Sequence, residues 1–155
     1  MKLPFIVNKT RNRTNKEQDM AIKVKIEKSD GRYWGTTQNV PGVVVADGES
    51  INELKENMKE AVDLYIETAE EHDIETYELF KNGFEFEYDL EVSEIFNDVF
   101  EVINKGEFAK SIGINPTLFR QYTNANKQTY ISEKRAKEIE NGLHRLGKEL
   151  LNVKL

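Results

Sequence analysis

Residues 108–122 read FAKSIGINPTLFRQY, and this stretch decides how the C-terminal part of the 155-residue chain folds. Ala109 is small enough for two helices to cross closely, and Gly113, four places later, suits a turn that needs a positive φ. Asn115 is a favourable N-cap and Pro116 a favourable first residue for a second helix. The positions that such a unit buries are apolar here, namely Phe108, Ile112, Ile114, Phe119 and Tyr122. The pattern predicts a helix-turn-helix.

A helix-turn-helix lays its second helix in the major groove of DNA, so the outward side chains of that helix are candidate contacts. We expect Leu118, Phe119 and Tyr122 to face inward. The candidates for reading bases are then Asn115, Thr117, Arg120, Gln121 and Asn124. Arg can bridge guanine O6 and N7, and Gln or Asn can bridge adenine N6 and N7. The alternative interpretation is an ordinary solvated helix surface.

Basic side chains near this unit are candidates for contacts with DNA phosphates, which position a protein without reading sequence. They are Lys110, Lys127, Lys134 and Arg135. Residues 20–92 contain eighteen acidic and seven basic side chains, whereas from Lys105 onward ten basic side chains stand against five acidic ones. An acidic body joined to a basic end suggests two different partners. The alternative is that the acidic surface only keeps the protein in solution.

Two more helices are predicted around this unit. Ser93 is expected to cap one of them, and its apolar side would comprise Ile95, Phe96, Val99, Phe100 and Ile103. After a polar loop over 123–130, Ser132 is expected to cap the last helix. Its apolar residues recur at spacings of three and four: Ala136, Ile139, Leu143, Leu146 and Leu150. This seam suits packing on the helix-turn-helix or pairing with a second copy. Residues 93–155 are thus predicted to form an all-α domain.

The preceding residues, 20–92, have the pattern of a sheet with one helix. Ser50, with Glu53 three residues on, predicts a capped helix that ends near His72, followed by a loop to Gly83. Strands are predicted at 21–28, 33–39, 43–45 and 84–92. We therefore expect an α+β protein with an N-terminal β-β-β-α-β antiparallel sheet over 20–92. Residues 1–19 are expected to form a flexible arm.

The last of these strands, FEFEYDLEV over residues 84–92, alternates most regularly between apolar and acidic side chains. One side of such a strand faces the core and the other faces away from it. The outward row is Glu85, Glu87, Asp89 and Glu91. The row has two interpretations: a water-facing side of a strand, or a surface that binds a basic protein.

Composition narrows the class of protein. No apolar run approaches the roughly 20 residues that a membrane-spanning helix needs, so we expect no membrane span. The chain has no Cys, which fits a reducing compartment, and we expect a cytoplasmic protein. Asp30, Asp47 and Asp63 are scattered over turns and a helix, and the two histidines lack metal-ligand spacing. We expect no enzymatic activity, no cofactor and no bound metal.

Two segments together resemble a known family. The segment NVPGVVVADGESINELKENMKEAVDLYIE, Asn39–Glu67, resembles HicB-type antitoxins, whose pattern is a Pro-Gly strand, a Gly turn, a Ser or Thr cap and a helix with periodic Glu, Ala and Leu. The C-terminal part resembles the helix-turn-helix of the Cro/repressor class, which a subset of those antitoxins carries. The resemblance covers roughly 20–155. The arm before Met20 is not part of it, and the loop over 72–83 is longer than the family's pattern.

The resemblance implies a partial ribonuclease H-like fold for 20–92, acting as the toxin-binding domain, and a DNA-binding domain over 93–155. It implies a small HicA-like ribonuclease toxin as a partner, which the acidic row would face, and repression of the shared operon. Operators of this class are near-palindromic, so a homodimer or higher oligomer is expected. The first alternative is a stand-alone HicB-like transcription regulator without a toxin. The second is an interaction module whose helical domain no longer touches DNA.

Overall fold

The computed structural model describes residues 20–124 and 126–155. The arm expected over 1–19 lies outside these residues. The predicted α+β class is confirmed. The elements, in chain order, are β1 (Met20–Ser29), β2 (Arg32–Thr37), β3 (Val45–Gly48), α1 (Ile51–His72), α2 (Ile74–Phe80), β4 (Phe84–Glu91), α3 (Ser93–Phe100), α4 (Lys105–Ser111), α5 (Pro116–Tyr122), β5 (Tyr130–Ser132) and α6 (Glu133–Leu151).

Helix α1 starts at the predicted cap and packs closely on the sheet. The hydroxyl of Ser50 accepts a hydrogen bond from the Glu53 amide at 3.1 Å. Leu54, Met58 and Val62 recur at helical spacing and are buried against the sheet. Strand β3 begins at Val45, later than predicted, and ends at a glycine beneath this helix. A Cβ on Gly48 would lie 2.4 Å from the backbone nitrogen of Leu54, so only glycine permits this approach.

The sheet is not fully antiparallel, which corrects one expectation. Its strand order is β3-β2-β1-β4-β5. Strands β1, β2 and β3 form the predicted antiparallel meander, but β4 runs parallel to β1, with Met20 opposite Phe84 and Ile26 opposite Leu90. The cause is the long connection through α1 and α2, which carries the chain across the sheet before β4 begins. Parallel pairing places β4 side chains directly beside those of β1.

The segment predicted as a loop between His72 and Gly83 contains helix α2. Asp73 caps this helix by accepting hydrogen bonds from the Thr76 amide at 3.2 Å and the Thr76 hydroxyl at 2.6 Å. These hydrogen bonds lower the pKa of the Asp73 carboxyl. Phe80, at the other end of the helix, is buried. An N-cap residue and a buried aromatic at the far end were the local signals for this helix.

Residues after 92 are not all helical, because Tyr130–Ser132 form strand β5 in place of the end of the predicted polar loop. β5 pairs antiparallel with β4, and Ile131 lies opposite Leu90. Ile131 is 4% exposed and belongs to the same apolar cluster as the β1 side chains. The sheet is therefore completed by a segment that follows α5 in the chain.

Helix α3 differs from its prediction at both its start and its outer side. Ser93 is its first residue rather than its cap, because Val92 occupies the cap position. Phe96 and Phe100 are buried as predicted, but Val99 is 39% exposed. The side chain of Ile95 lies outside the described part of the structure. Among the described side chains of this helix, Phe96 and Phe100 are the ones that reach the core.

Candidate functional site

Helices α4 and α5 have the geometry that residues 108–122 predicted. Ala109 is fully buried and accepts a backbone hydrogen bond from Ile114 at 2.9 Å across the turn. Gly113 has φ of +74°, a conformation that side chains other than glycine rarely adopt. The side-chain oxygen of Asn115 accepts hydrogen bonds from the Thr117 amide at 2.8 Å and the Leu118 amide at 3.3 Å. We call Lys105–Tyr122 the α4–α5 unit.

An aromatic cluster holds the inner side of α5. Phe119 is fully buried, with its ring centroid 5.0 Å from that of Phe100 and 5.5 Å from that of Phe108. Tyr122 is half-buried and makes an edge contact with Phe119 at 6.3 Å. Aromatic rings at these separations and angles add specific attraction to their apolar burial. The rotation of α5 about its axis is therefore set by Phe119.

All five predicted base-reading residues are at least partly exposed, which leaves them available for contacts. They are Asn115, Thr117, Arg120, Gln121 and Asn124. Two of them already use their side-chain oxygen: that of Asn115 caps α5, and that of Asn124 accepts a hydrogen bond from the Asn126 amide at 3.0 Å. Bridging adenine needs both the oxygen and the NH2 group of an amide, so these two residues can offer only their NH2 groups while those bonds persist.

Leu118 does not face inward, contrary to the prediction, because it is 37% exposed. Successive helix residues are about 100° apart, so burying Phe119 turns Leu118 toward the edge of the outward side. An exposed Leu on this side could contact the methyl group of thymine. Sequence reasoning missed this residue, since apolar character alone suggested burial.

Arg120 lies beside the start of α4. A Cβ built on Gly106 would be 3.4 Å from Nη2 of Arg120, so the absence of a side chain at Gly106 leaves room for the guanidinium. Among the described side chains, which leave out those of Glu94, Ile95 and Asp98, none forms a salt bridge with Arg120. A guanidinium can offer its N–H donors to a base or a phosphate.

The four predicted phosphate contacts fall into two groups. Lys110 lies in the last turn of α4, 2.8 Å from Glu107, while Lys127 is exposed in the segment after α5. Lys134 and Arg135 lie in the first turn of α6, where Arg135 pairs with Glu138 at 2.8 Å. Exposed ion pairs contribute about 0–1 kcal/mol, so Lys110 can exchange its partner for a phosphate at little cost.

The first turn of α6 is attached to the sheet. Ser132 caps α6 through the Arg135 amide at 3.3 Å and also pairs with Asp89 of β4. Glu133 forms an ion pair with Lys55 of α1. Lys134 and Arg135 therefore lie on a helix start that is fixed to the sheet, whereas Lys110 belongs to the α4–α5 unit.

The predicted acidic row loses one member. Glu85, Glu87 and Asp89 are exposed, but Glu91 is 5% exposed and cannot face a partner. Its carboxylate accepts hydrogen bonds from the Ser93 hydroxyl and from the Ser93 amide at 2.9 Å. Glu91 therefore satisfies a backbone donor at the start of α3. We call Glu85, Glu87 and Asp89 the acidic row from here on.

Lysines of β1 lie beside the acidic row. The parallel register places Lys23 opposite Glu87 and Lys25 opposite Asp89, whereas Glu85 lies opposite Ala21. Residues paired in register point to the same side of a sheet, so two of the three acidic charges have a basic neighbour. Among the described residues, Glu85 is the member of the row that has no basic neighbour in register. The sequence alone could not show this, because it depends on the direction of β4.

The same side of the sheet also carries exposed apolar and aromatic side chains. On β2 and β3, Trp34 is 42% exposed and Val45 is 52% exposed. On β5, the Tyr130 hydroxyl donates a hydrogen bond to Glu27, and Lys25 lies over the Tyr130 ring at 4.7 Å. Burial and the bond to Glu27 raise the pKa of Tyr130. We call this side of the sheet the open face. It combines the acidic row with a lysine row, Lys23 and Lys25 of β1, and with aromatic side chains at its margins.

Two of the aspartates considered as metal ligands each interact with a different basic side chain. Asp47 accepts a hydrogen bond from Arg32 at 2.7 Å, and Asp63 pairs with Lys59 at 2.9 Å on α1. In the part of the chain that the structure describes, no three His, Cys, Asp or Glu side chains form a group suited to a metal ion. Over those same residues, none of the helices combines the length and the apolar character needed to cross a membrane.

Comparisons of the chain with protein-family models, with curated proteins and with solved structures found no match. The HicB resemblance therefore stays a prediction. It depends on the motif over Asn39–Glu67 and on the α4–α5 unit, taken in that order along the chain.

Proposed function

We propose that this chain is a HicB-like antitoxin that binds its operator through α5 and a small ribonuclease toxin through the open face of its sheet. The observation that carries the proposal is the α4–α5 unit. Phe119 locks the inner side of α5, and Arg120 and Gln121 stand on its outer side. A short helix held at a fixed rotation, with long polar side chains outward, suits reading of base edges in the major groove.

The DNA step rests on bidentate hydrogen bonding. Arg120 would bridge O6 and N7 of a guanine, and Gln121 would bridge N6 and N7 of an adenine. Each such pair discriminates by roughly 1–3 kcal/mol against the wrong base. Lys110 and Lys127 would contribute contacts with phosphates, which add affinity without sequence preference and make it fall with salt.

The toxin step rests on charge. A ribonuclease binds an anionic substrate, so its RNA-binding surface is expected to be basic. The acidic row would occupy that surface, with Glu85 presenting the least balanced charge. Complementary charge raises association rates and sets specificity more than it adds affinity. Because Lys23 and Lys25 lie beside the acidic row, the part of the toxin that contacts them would need acidic side chains.

Fluorescence anisotropy with DNA from upstream of the gene tests the operator contact. Arg120→Ala should weaken specific binding by about 1–3 kcal/mol, which is roughly 5- to 150-fold. Arg120→Lys keeps the charge but loses the planar fork, so it should lose most of the specificity. Lys148→Ala on α6 removes an equal charge elsewhere and is the matched control. Unchanged specific affinity in Arg120→Ala would contradict the role of α5.

Co-expression with the neighbouring gene, followed by purification through a tag on this chain, tests the toxin. A small basic protein that co-purifies, and whose ribonuclease activity is inhibited in the complex, is the expected result. A chain that binds the operator but retains no such partner would contradict the antitoxin function and leave the DNA function intact.

That second outcome describes a stand-alone transcription regulator, the alternative function. Two observations favour it. Glu91 is buried at the start of α3, and Lys23 and Lys25 offset part of the negative charge of the acidic row. Both reduce the negative potential that a basic toxin would meet. A module that no longer touches DNA would show no steep loss of DNA affinity with rising salt.

A further inference from the structure

The outer edge of β4 is only partly covered by the short strand beside it. β5 pairs with Asp89, Leu90 and Glu91, the last three residues of β4. Across residues 20–124 and 126–155, no strand pairs with 84–88 on the side away from β1. This stretch contains neither Lys nor Pro, two residues that commonly protect an exposed strand edge. We call residues 84–88 the free edge.

Backbone groups of two phenylalanines point outward along the free edge. The Val92 amide donates to the Thr129 carbonyl at 3.2 Å, on the side of the sheet where β5 lies. Successive residues of a strand direct their N–H and C=O groups to alternate sides, so those of Phe84 and Phe86 face the free edge. The amide of Glu85 faces β1 instead. Such a row of outward N–H and C=O groups is a template for a further strand.

The side chains above and below the free edge differ in chemistry. Phe84 and Phe86 are half-buried on the inner side of the sheet, with their ring centroids 5.3 Å apart. Glu85 and Glu87 are exposed on the open face. A strand added beside β4 would place its own side chains alternately next to these two sets. Apolar side chains would extend the aromatic row, and basic side chains would meet the carboxylates.

We propose that the free edge binds an extended segment of a basic protein, in which basic and apolar side chains alternate, by adding that segment to the sheet as a further strand. Main-chain hydrogen bonds supply affinity in this mode of binding, and the alternate side chains supply specificity. The identification of the partner as a ribonuclease toxin rests on the proposed function. The backbone of β4 takes part in this contact, which distinguishes it from docking on the open face by charge alone.

Charge selects this kind of partner over two others. If the free edges of two copies paired, Glu85 and Glu87 of one copy would lie beside the same carboxylates of the other. Like charges on neighbouring strands are destabilising, so a second copy is disfavoured. The same carboxylates repel the phosphates of a nucleic acid. A basic polypeptide gains attraction from both carboxylates.

Amide hydrogen exchange on the full chain, followed by NMR, tests strand addition directly. The probe is a capped peptide of alternating lysine and valine, about six residues long, which spans the free edge. Its control is a capped peptide of the same composition with all valines before all lysines. In the chain alone, the Phe86 amide should exchange faster than the Glu85 amide, which faces β1. The alternating peptide should slow exchange at Phe86, and the control peptide should not.

Three results of this experiment would contradict the proposal. Slow exchange at Phe86 in the chain alone would mean that the edge is already covered within the chain. Exchange that slows as the concentration of the chain rises would identify a second copy as the occupant. Unchanged exchange at Phe86 with saturating alternating peptide would mean that binding does not use the backbone of β4.

A variant that lacks one outward N–H group tests the same contact through affinity. Phe86→Pro removes a donor from the free edge and leaves the bonds to β1, because that N–H points away from β1. Binding of the alternating peptide should weaken by at least roughly 2- to 12-fold. Phe86→Val is the matched control, because it also removes the ring but keeps the N–H group and a residue suited to strands. Equal affinities of these two variants, both shown to be folded by circular dichroism, would refute strand addition.

A second pair of variants separates the free edge from the rest of the acidic row. Glu87→Gln removes a charge from the free edge, whereas Asp89→Asn removes one where β5 already occupies the edge. Glu87→Gln should weaken binding of the alternating peptide more than Asp89→Asn does. The reverse order would place the contact elsewhere on the open face. Neither variant alters the backbone, so this comparison still decides the matter if Phe86→Pro fails to fold.

The inference and the proposed function fail in different ways. If a small basic ribonuclease co-purifies equally with Phe86→Pro and Phe86→Val, the toxin binds without the free edge, and the antitoxin function stands while strand addition falls. If the alternating peptide protects the Phe86 amide but no ribonuclease co-purifies, the free edge binds a basic strand and the antitoxin function falls.

Discussion

Helix α5 and strand β4 both present polar side chains to solvent, but they support them differently. On α5 the inner side is held by a cluster around Phe119, and no described strand pairs with its outward side, although Arg120 lies near Gly106 of α4. On β4 the outward side chains lie beside those of β1 and, near the end of the strand, those of β5. A helix therefore sets the environment of its outer residues largely by itself. For a strand residue, the side chains of the neighbouring strands supply most of that environment.

The largest effect should come from breaking the support of α5. Phe119→Ala removes a fully buried ring and should lower the free energy of unfolding by about 3–5 kcal/mol. Leu118→Ala, one residue away but 37% exposed, should change it by less than about 1 kcal/mol. Urea denaturation followed by circular dichroism measures both. Similar losses in the two variants would mean that Phe119 does not set the rotation of α5.

A second experiment divides the residues of β4 by role. Glu91→Gln alters a buried carboxylate that accepts from the Ser93 amide, and should destabilise the fold by about 1–3 kcal/mol. Glu87→Gln changes an exposed residue of the same strand and should leave stability nearly unaltered. Denaturation midpoints compare the two variants directly. Equal midpoints would show that burial of Glu91 has no structural role.

Once a basic partner has been purified, charge reversal can rank the residues of the acidic row by their effect on the association rate. Glu85→Lys should slow association a few-fold, out of the roughly 10- to 1,000-fold that electrostatic steering can provide. Glu87→Lys should have the smaller effect, because Lys23 already offsets that charge. Stopped-flow association at several salt concentrations gives both rates. If Glu87→Lys slowed association more, the in-register lysines would not govern the row.

The smallest expected effect concerns the inner side of β4. Burial raises the pKa of Tyr88 to about 12, with a further contribution from Glu133. The unfolded chain ionises this phenol near pH ~10, so between the two values the folded state holds the extra proton. Linkage then requires stability to fall as pH rises through this range. Tyr88→Phe should show a shallower loss of stability over this range in denaturation experiments, and an identical slope would contradict this assignment.

Local signals were sufficient for the α4–α5 unit. Gly113 sets its turn and Asn115 caps its second helix through bonds to residues two and three positions away. Helix α2 had a comparable signal in Asp73 and Thr76, yet this segment was predicted to be a loop. Leu118 was misplaced because apolar character was taken as burial, whereas the position of Phe119 decides which way the neighbouring residue points.

The α+β class, the caps at Ser50, Asn115 and Ser132, the turn of the α4–α5 unit and the alternation along β4 could be predicted from the sequence, because their signals lie within a few residues of one another. Three further features came from tertiary packing: β4 runs parallel to β1, β5 joins the sheet and Glu91 turns inward. These features depend on which distant segments become neighbours. The net charge around an exposed strand residue depends on the side chains beside it on neighbouring strands, and the sequence does not show which side chains those are.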